Sequence, residues 1–468
     1  MSSGSTKILL GRFLQNGRLD KYFNHGRLLL LETGTSTDGG NDVATAPDGR
    51  ILVAGTSWEP TELDRSGMAI IALSDGGLLD GAFGSRGIAA VATGFEQAIA
   101  NAMAVQLDGR ILVAGSTGHY PAEKASVARF LENGELDPSF GNAGRVVLDI
   151  GPGNNLLTSI AQLSDGKIIV CGPVETASGF VQFVAKLDPF GNLDPSFGNG
   201  GIVRSAGFGP YTGEMVVQPD GKIVIVGSSR LGRGKQSVLV VRYNADGTLD
   251  TTFDGDGIQT ISFGAYLDYG MALKLQPDGK IVVAGIAYST ASVSSASVAR
   301  LNSDGRLDRS FGTGGKVVTS FTGGSAGITD LSIQTDGKIT AAGFTGTDVG
   351  SNSTLFRYNA NGTSDSTFGT GGIATVDLAP YDGAWSIALQ PDGKIVAAGN
   401  AGGNCTALRF LSDGSLDTSG FGTNGVVNIS FESSNNDGRA IAFDAQGRAV
   451  VAGSAGGLFG VARLLGDK

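Results

Sequence analysis

Gln276-Pro277-Asp278-Gly279-Lys280-Ile281-Val282-Val283-Ala284-Gly285 joins a turn to a strand, and the chain repeats the combination eight times with variation. Pro277 presets φ for a type I turn, Asp278 can accept from its own backbone, and Gly279 supplies the left-handed residue that returns the chain as a bulged hairpin. The Ile-Val-Val-Ala run has the composition of a fully buried strand. Equivalent turns fall at Gly49, Gly109, Gly166, Gly221, Gly279, Gly337 and Gly393, with a degenerate copy at Ala445-Gln446-Gly447-Arg448, at spacings of 54 to 60 residues.

A second signature alternates with the first. It reads Leu136-Asp137-Pro138-Ser139-Phe140-Gly141, with relatives at Leu193 to Gly198, Leu249 to Phe253, Leu307 to Gly312, Ser364 to Gly369 and Leu416 to Gly422, and looser copies at Leu19 to Phe23 and Leu79 to Gly84. Between signatures each unit offers four β-prone runs. In the third they are Arg145 to Asp149, Leu157 to Gln162, Lys167 to Cys171 and Phe180 to Leu187. None sustains a helical apolar period. Four antiparallel strands in a repeat of this length match a propeller blade, whereas a solenoid coil would need a shorter period. The expected fold is all-β: a single domain, residues 1–468, forming an eight-bladed β-propeller of four-stranded antiparallel blades, its ring closed by the terminal strands. Closure removes the two apolar faces that an open row of blades would expose. The pattern of the fourth run occurs nine times, from Ile8 to Phe13 through Leu458 to Leu464. Ile8 to Phe13 therefore either completes the C-terminal blade or adds an outer strand to it.

The two interleaved signatures resemble the bacterial delta-60 repeat, a propeller-forming family described as a domain of unknown function. The resemblance spans roughly Lys7 to Leu464. It implies the propeller fold and supplies no catalytic residues to carry over. The chain departs from the pattern at Lys21-Tyr22-Phe23-Asn24 and Ala445-Gln446-Gly447-Arg448, at the ends, where terminal repeats are expected to be atypical.

Composition bounds the chemistry. Seventy-six Gly with 41% hydrophobic residues describe a turn-rich β protein with a sizeable core. A net charge of −10 argues against a nucleic-acid groove, which needs clustered Lys and Arg. Cys171 and Cys405 fall at different positions of different repeats and read as small apolar residues. Ile8 to Gly11 is too short an apolar run for a signal h-region or a membrane span. The expectation is a soluble monomer, cytoplasmic or exported without a cleaved leader.

Arg129, Lys186, Arg242, Arg300, Arg357 and Arg409 each stand eight residues before a signature aspartate, which predicts a structural ion pair; Ala72 breaks the series while Asp80 remains. The signature phenylalanines, such as Phe140, Phe253 and Phe311, read as wedges between blades. Asp254-Gly255-Asp256-Gly257 resembles part of a calcium loop, but it occupies the place of Gly141-Asn142-Ala143-Gly144 and no bidentate Glu follows at the right distance. His25 and His119 are the two imidazoles, with no His or Cys partner that would make a zinc site. No metal and no cofactor are expected, and no nucleophile elbow appears.

Strands that run alternately up and down place both repeated turns on one side and the irregular connections on the other. Binding residues concentrate on irregular loops held by a rigid scaffold. That side carries His119, Tyr120, Tyr211, Glu214, Asp268, Tyr269, Asp330, Tyr381, Asp382 and Trp385, an aromatic and carboxylate set suited to sugars or peptides. The leading expectation is a non-enzymatic scaffold that binds a protein or glycan partner through this face. The alternative is a hydrolase or lyase with its site at the channel mouth of the same face.

Overall fold

A computed structural model describes residues 8–13, 29–31, 39–59, 65–74, 78–91, 98–177, 179–205, 207–231, 235–264, 266–290, 292–322, 324–347, 349–429, 436–443, 447, 449–455 and 458–464. Every element named in them is a β-strand. The signature copy at Leu19 to Phe23, His25 and most of the degenerate turn around Gly447 lie outside the described residues.

Seven groups of four strands follow one another, each hydrogen-bonded in chain order into an antiparallel sheet. The first is Gly39–Thr45, Ile51–Glu59, Arg65–Leu73 and Ile88–Val91. The second is Ala98–Val105, Ile111–Thr117, Lys124–Phe130 and Arg145–Leu148. The third is Ser159–Gln162, Ile168–Thr176, Gly179–Leu187 and Ile202–Ser205. The fourth is Phe208–Val217, Ile223–Leu231, Lys235–Tyr243 and Ile258–Ile261. The fifth is Leu267–Leu275, Ile281–Tyr288, Ser294–Leu301 and Lys316–Ser320. The sixth is Ser325–Ile333, Ile339–Thr347, Gly350–Tyr358 and Ile373–Val376. The seventh is Gly383–Leu389, Ile395–Ala401, Asn404–Phe410 and Val426–Ile429.

The remaining strands are Asn436–Phe443, Ala449–Ala455 and Leu458–Leu464, joined by Ile8–Phe13 and Leu29–Leu31. Ile8–Phe13 runs parallel to Leu458–Leu464, with Leu9 opposite Gly460 and Phe13 opposite Leu464, and Leu29–Leu31 pairs antiparallel on its far side. The extra strand is thus added beyond the C-terminal one.

Each sheet is offset by one strand from the unit read in the sequence. The strand after a Leu-Asp signature, such as Arg145–Leu148, pairs with the strand before that signature, Lys124–Phe130. The signature itself dictates this. Asp137 N donates to Arg129 O at 2.9 Å and Arg129 N to Gly144 O at 2.9 Å, so the loop folds back onto the strand it leaves. The Asp-Gly hairpin forms as its chemistry requires: Gly279, at φ 81°, donates to Gln276 O at 2.9 Å, and Gln276 N donates to Lys280 O at 2.8 Å.

Contacts gather the chain into two compact units. One comprises Met1–Ile150, Asn154–Ile160 and Trp385–Lys468, the other Gly151–Gly153 and Ala161–Ala384. Within each, apolar clusters lie between successive groups. Phe311, Val298 and Ala284 of the fifth pack with Ile328, Ala341 and Phe356 of the sixth, while Met68 and Ile70 of the first pack with Ala100 and Val113 of the second. The second and third strands of a group are buried on both faces, which is why Ile281–Ala284 reads as an uninterrupted apolar run.

The predicted ion pairs form. Arg129, Arg242, Arg300, Arg357 and Arg409 each donate from Nε to the aspartate eight residues on, at 2.7 to 3.0 Å, with both partners buried. Each guanidinium also lies over its signature phenylalanine, 4.3 to 4.8 Å from the ring centre. In the third group Lys186 donates instead to Ala245 O at 2.9 Å, and Asp194 takes Lys167 at 2.8 Å. The phenylalanines act as wedges. Gly247, Gly305 and Gly362 of one group approach Phe197, Phe253 and Phe311 of the group before it so closely that an added Cβ would come within 2.5 to 3.0 Å of the ring.

Candidate functional site

The first strand of a group lies at the edge of its sheet except for a single bridge that Gly39–Thr45 makes to Ala449–Ala455 and Leu267–Leu275 makes to Lys235–Tyr243, so most backbone groups on its far side need partners from elsewhere. In six of these strands a β-bulge interrupts the pairing, between Gly40 and Asp42 and at the equivalent places. Side chains at the bulge reach forward to the next group. Asn41 Nδ2 donates to Ala100 O at 2.7 Å, Asn101 Nδ2 to Leu157 O at 2.9 Å, and Thr329 Oγ1 to Ala384 O at 2.7 Å. The following residue does the converse: Asp42 Oδ2 accepts Met103 N–H at 2.8 Å, and Glu214 Oε2 accepts Leu273 N–H at 3.0 Å. Burial raises the Asp42 carboxyl to about 6, against the two backbone N–H groups of Met103 and Val43 that favour its ionised form.

Glu214 and Asp330, both in the predicted ligand set, converge on one cation. Lys274 Nζ pairs with Glu214 Oε1 and lies 3.9 Å from Asp330 Oδ1, and Asp330 Oδ1 also accepts Leu331 N–H at 2.7 Å. These side chains are partly exposed, with 39%, 36% and 22% of Glu214, Lys274 and Asp330 accessible. The two carboxylates therefore share an ammonium group between them.

Asp268 and Asp382 are buried. Asp268 Oδ2 accepts Phe263 N–H at 3.1 Å, and Asp382 Oδ2 accepts Leu378 and Ala379 N–H at 2.7 and 2.9 Å. Both carboxylates pin the crossover that leads into their own strand. Burial raises the Asp268 carboxyl, opposed by the Phe263 N–H. Tyr269 packs edge-on against Tyr288, with ring centres 5.8 Å apart. Tyr211 stands in the strand Phe208–Val217, and its side chain lies outside the described residues. His119 and Tyr120 are exposed on a loop whose His119 carbonyl accepts Ala122 N–H at 2.7 Å. Trp385 donates from Nε1 to Asn400 Oδ1 at 3.0 Å with its ring partly exposed.

Tyr381 is displayed differently. It is 63% exposed and holds φ at +65°, a left-handed conformation that non-glycine residues seldom adopt. Four hydrogen bonds maintain the strain: the two at the Asp382 carboxylate, Asp382 N to Ser351 O at 2.7 Å, and Ser351 Oγ to Asp382 O at 2.8 Å. Beside it a depression of about 390 Å³ is lined by Phe321, Val349, Pro380, Ser351, Asn352 and Asp377, among others. Sequence reasoning picked out the loops that bear Val349 and Tyr381 and missed Phe321 and Asp377. The available signal was weak: a lone Phe opening the Gly-rich crossover Phe321-Thr322-Gly323-Gly324.

Among the described residues no group of three or more His, Cys, Asp or Glu could hold a metal ion. In those same residues no helix is long and apolar enough to cross a membrane.

The family model described as "Domain of unknown function (DUF5122) beta-propeller" matches residues 106–140, 163–197, 218–253, 276–311, 334–368 and 390–419. Each stretch runs from one Asp-Gly turn to the next Leu-Asp signature, so this β-propeller model matches the chain six times, in step with its repeats. No curated protein matches the chain. Sqt1 from Chaetomium thermophilum is similar in structure, with a TM-score of 0.50 and 13% identity over 92% of this chain and 97% of Sqt1. The same protein bound to the N-terminus of ribosomal protein L10 aligns with a TM-score of 0.51 and 12% identity, over 99% of this chain and 100% of that one. The polysaccharide lyase Uly1 aligns with a TM-score of 0.44 and 11% identity over 98% and 96% of the two chains. At these identities the likeness to Sqt1 establishes the fold.

Proposed function

We propose that this chain is a non-enzymatic β-propeller scaffold that binds a protein or carbohydrate partner through the side carrying its irregular loops. Its strand groups, including the one shared by the two termini, are the eight blades of a single ring formed by residues 1–468. The observation that carries the binding reading is Tyr381: an exposed ring on a strained backbone held by four hydrogen bonds, beside a depression whose lining includes Phe321, Val349 and Pro380. Strain persists only where the surroundings over-determine it, and at such places it commonly serves recognition.

The carboxylates support binding over hydrolysis. Asp268 and Asp382 accept from backbone N–H groups, and Glu214 and Asp330 flank Lys274, so each carboxylate has a structural partner. The structure of Sqt1 with the L10 N-terminus is an instance of a similar fold receiving a polypeptide.

A glycan array and a protein pull-down, both with the intact chain, test the proposal. Binding that is lost in Tyr381→Ala and kept in a variant of a regular turn is expected. Turnover of a polysaccharide or peptide that Glu214→Gln abolishes would sink it in favour of a hydrolase or lyase. An experimental structure with seven or nine blades, or two rings, would overturn the blade count.

A further inference from the structure

We infer that the depression beside Tyr381 is the docking site for an extended peptide that places an apolar side chain against Phe321, Val349 and Pro380 and a lysine or arginine against Asp377. The inference rests on the binding reading above and gives it a place and a partner class.

The apolar part is an exposed surface. Val349 is 82% accessible, Tyr381 63% and Phe321 38%, and the three belong to different connections. Those connections are tied to one another. Gly324 N donates to Phe321 O at 3.1 Å, a Cβ on Gly324 would lie 1.9 Å from Gly346 O, and one on Gly350 would lie 3.8 Å from Tyr381 N. Phe321 and Val349 thus line one hollow with Tyr381 next to it, on backbone that leaves no room for larger residues at Gly324 and Gly346. Large apolar side chains gathered this way on a surface otherwise rich in Ser, Thr and Gly mark an interaction site.

Charge decides the class of partner. The described residues lining the hollow include the exposed Asp377 carboxylate and, among them, no Lys, Arg or His. The chain as a whole carries −10. A cationic group next to an apolar one complements both features, and an extended peptide supplies them on neighbouring side chains. Ser351 and Asn352, also in the lining, offer hydroxyl and amide groups to the peptide backbone. A hollow of about 390 Å³ accommodates one large side chain rather than a folded domain.

The test is selection of a phage-displayed random heptapeptide library on the intact chain. The selected peptides are then titrated, as synthetic fluorescein conjugates, against the chain and its Val349→Asp, Asp377→Asn, Tyr381→Ala and Leu107→Asp variants. Selected sequences should pair an aromatic or aliphatic residue with Lys or Arg. Val349→Asp should weaken them at least tenfold. Asp377→Asn should weaken them several-fold and flatten their dependence on salt. Leu107→Asp, on a regular turn, should leave them unchanged, and the thermal midpoints of these surface variants should stay within a few degrees of the parent. Peptides without a basic residue, or peptides that Val349→Asp and Asp377→Asn leave unaffected, overturn the inference. If a glycan array then gives ligands that Tyr381→Ala abolishes, binding through the irregular side stands and the peptide does not. If neither library yields a ligand, or only Leu107→Asp matters, both readings fall.

Discussion

Arg300 donates from Nε to Asp308 at 2.8 Å while its guanidinium carbon lies 4.6 Å from the centre of the Phe311 ring, so one side chain closes the signature loop and braces its wedge. Burial pushes the Asp308 carboxyl up, but the Ser310 hydroxyl and N–H and the Arg300 guanidinium outweigh it and hold it at about 2. Arg300→Met removes the nearer of two cations at that carboxylate, with Lys280 Nζ left at 3.5 Å, and should cost about 3 kcal/mol in urea unfolding at pH 7. Because the folded value lies below that of the unfolded chain, the stability Asp308 contributes is present above about pH 4 and lost as pH falls through 2. Asp308→Asn should therefore flatten the acid limb between those values; an unchanged limb would count against the pair.

Ala72 stands where the other groups carry the cation, and Arg50 takes its place from the Asp-Gly turn. Arg50 lies 3.4 Å from Asp80, donates to Glu132 O at 2.7 Å and sits 5.9 Å from the Phe83 ring centre. Its counterpart Arg110 is 41% exposed and accompanies Arg129 at Asp137, whereas Arg50 is 14% exposed and acts without an arginine at position 72. Arg50→Ala should cost about 2 kcal/mol, well beyond Arg110→Ala. Ala72→Arg should destabilise the parent by crowding a buried site and restore stability to Arg50→Ala. A double-mutant cycle with no favourable coupling of at least about 1 kcal/mol would show that the two positions do not substitute for each other.

What was legible in the sequence is what repeats. The Asp-Gly hairpins, the pairs spaced by eight residues and the phenylalanine wedges are local or periodic, so eight imperfect copies average out to one clear instruction. The grouping of strands was less so: the sequence cannot tell whether the strand after Leu-Asp pairs backward or forward, and the bonds from Asp137 N and Arg129 N decide it. Arg50 reaches Asp80 from the Asp-Gly turn as Lys222 reaches Asp250 and Lys338 reaches Asp365, a contact that recurs but joins two signatures across intervening strands, so only the fold shows it. Asp268 and Asp382 each precede their Asp-Gly glycine by eleven residues, a regularity that marks a repeated backbone role. Reading that role requires knowing which crossover N–H groups lack a strand partner, and this only the fold reveals. Phe321 escaped notice because a single phenylalanine in a crossover looks like core until its exposure is known.

The packing of Phe311 on the next group separates two effects that glycine substitutions usually mix. Gly362 and Gly371 both hold positive φ, +85° and +62°, yet a Cβ on Gly362 would lie 2.7 Å from Gly312 N and 3.0 Å from the Phe311 ring, while one on Gly371 meets nothing within 4 Å. Gly371→Ala should cost only the left-handed backbone penalty, about 1–2 kcal/mol. Gly362→Ala should add about 1–3 kcal/mol of overpacking. Matching urea midpoints for the two variants would mean that the wedge contact is loose.

Asp42 should give the protein a second, opposite pH dependence. Its carboxylate links the first strands of the first and second groups through Met103 N–H, and burial raises it to about 6, above the unfolded value near 4. A group whose folded value is raised binds its proton more tightly in the native state, so stability falls as pH rises from about 4 to about 6 and is level beyond. The fall should be about 3 kcal/mol when Asp42 titrates alone. Asp42→Asn removes the ionisation and keeps one acceptor for the two N–H groups, so it should lower stability at pH 4.5, where the neutral carboxyl serves well, and have a smaller effect at pH 7. With the signature aspartates rising between pH 2 and 4 and Asp42 falling between 4 and 6, the urea midpoint should peak near pH 4 to 5. A midpoint that climbs steadily to pH 7 in the parent, or an equal loss in the variant at both pH values, would show that Asp42 is ionised in the native fold at pH 4.5.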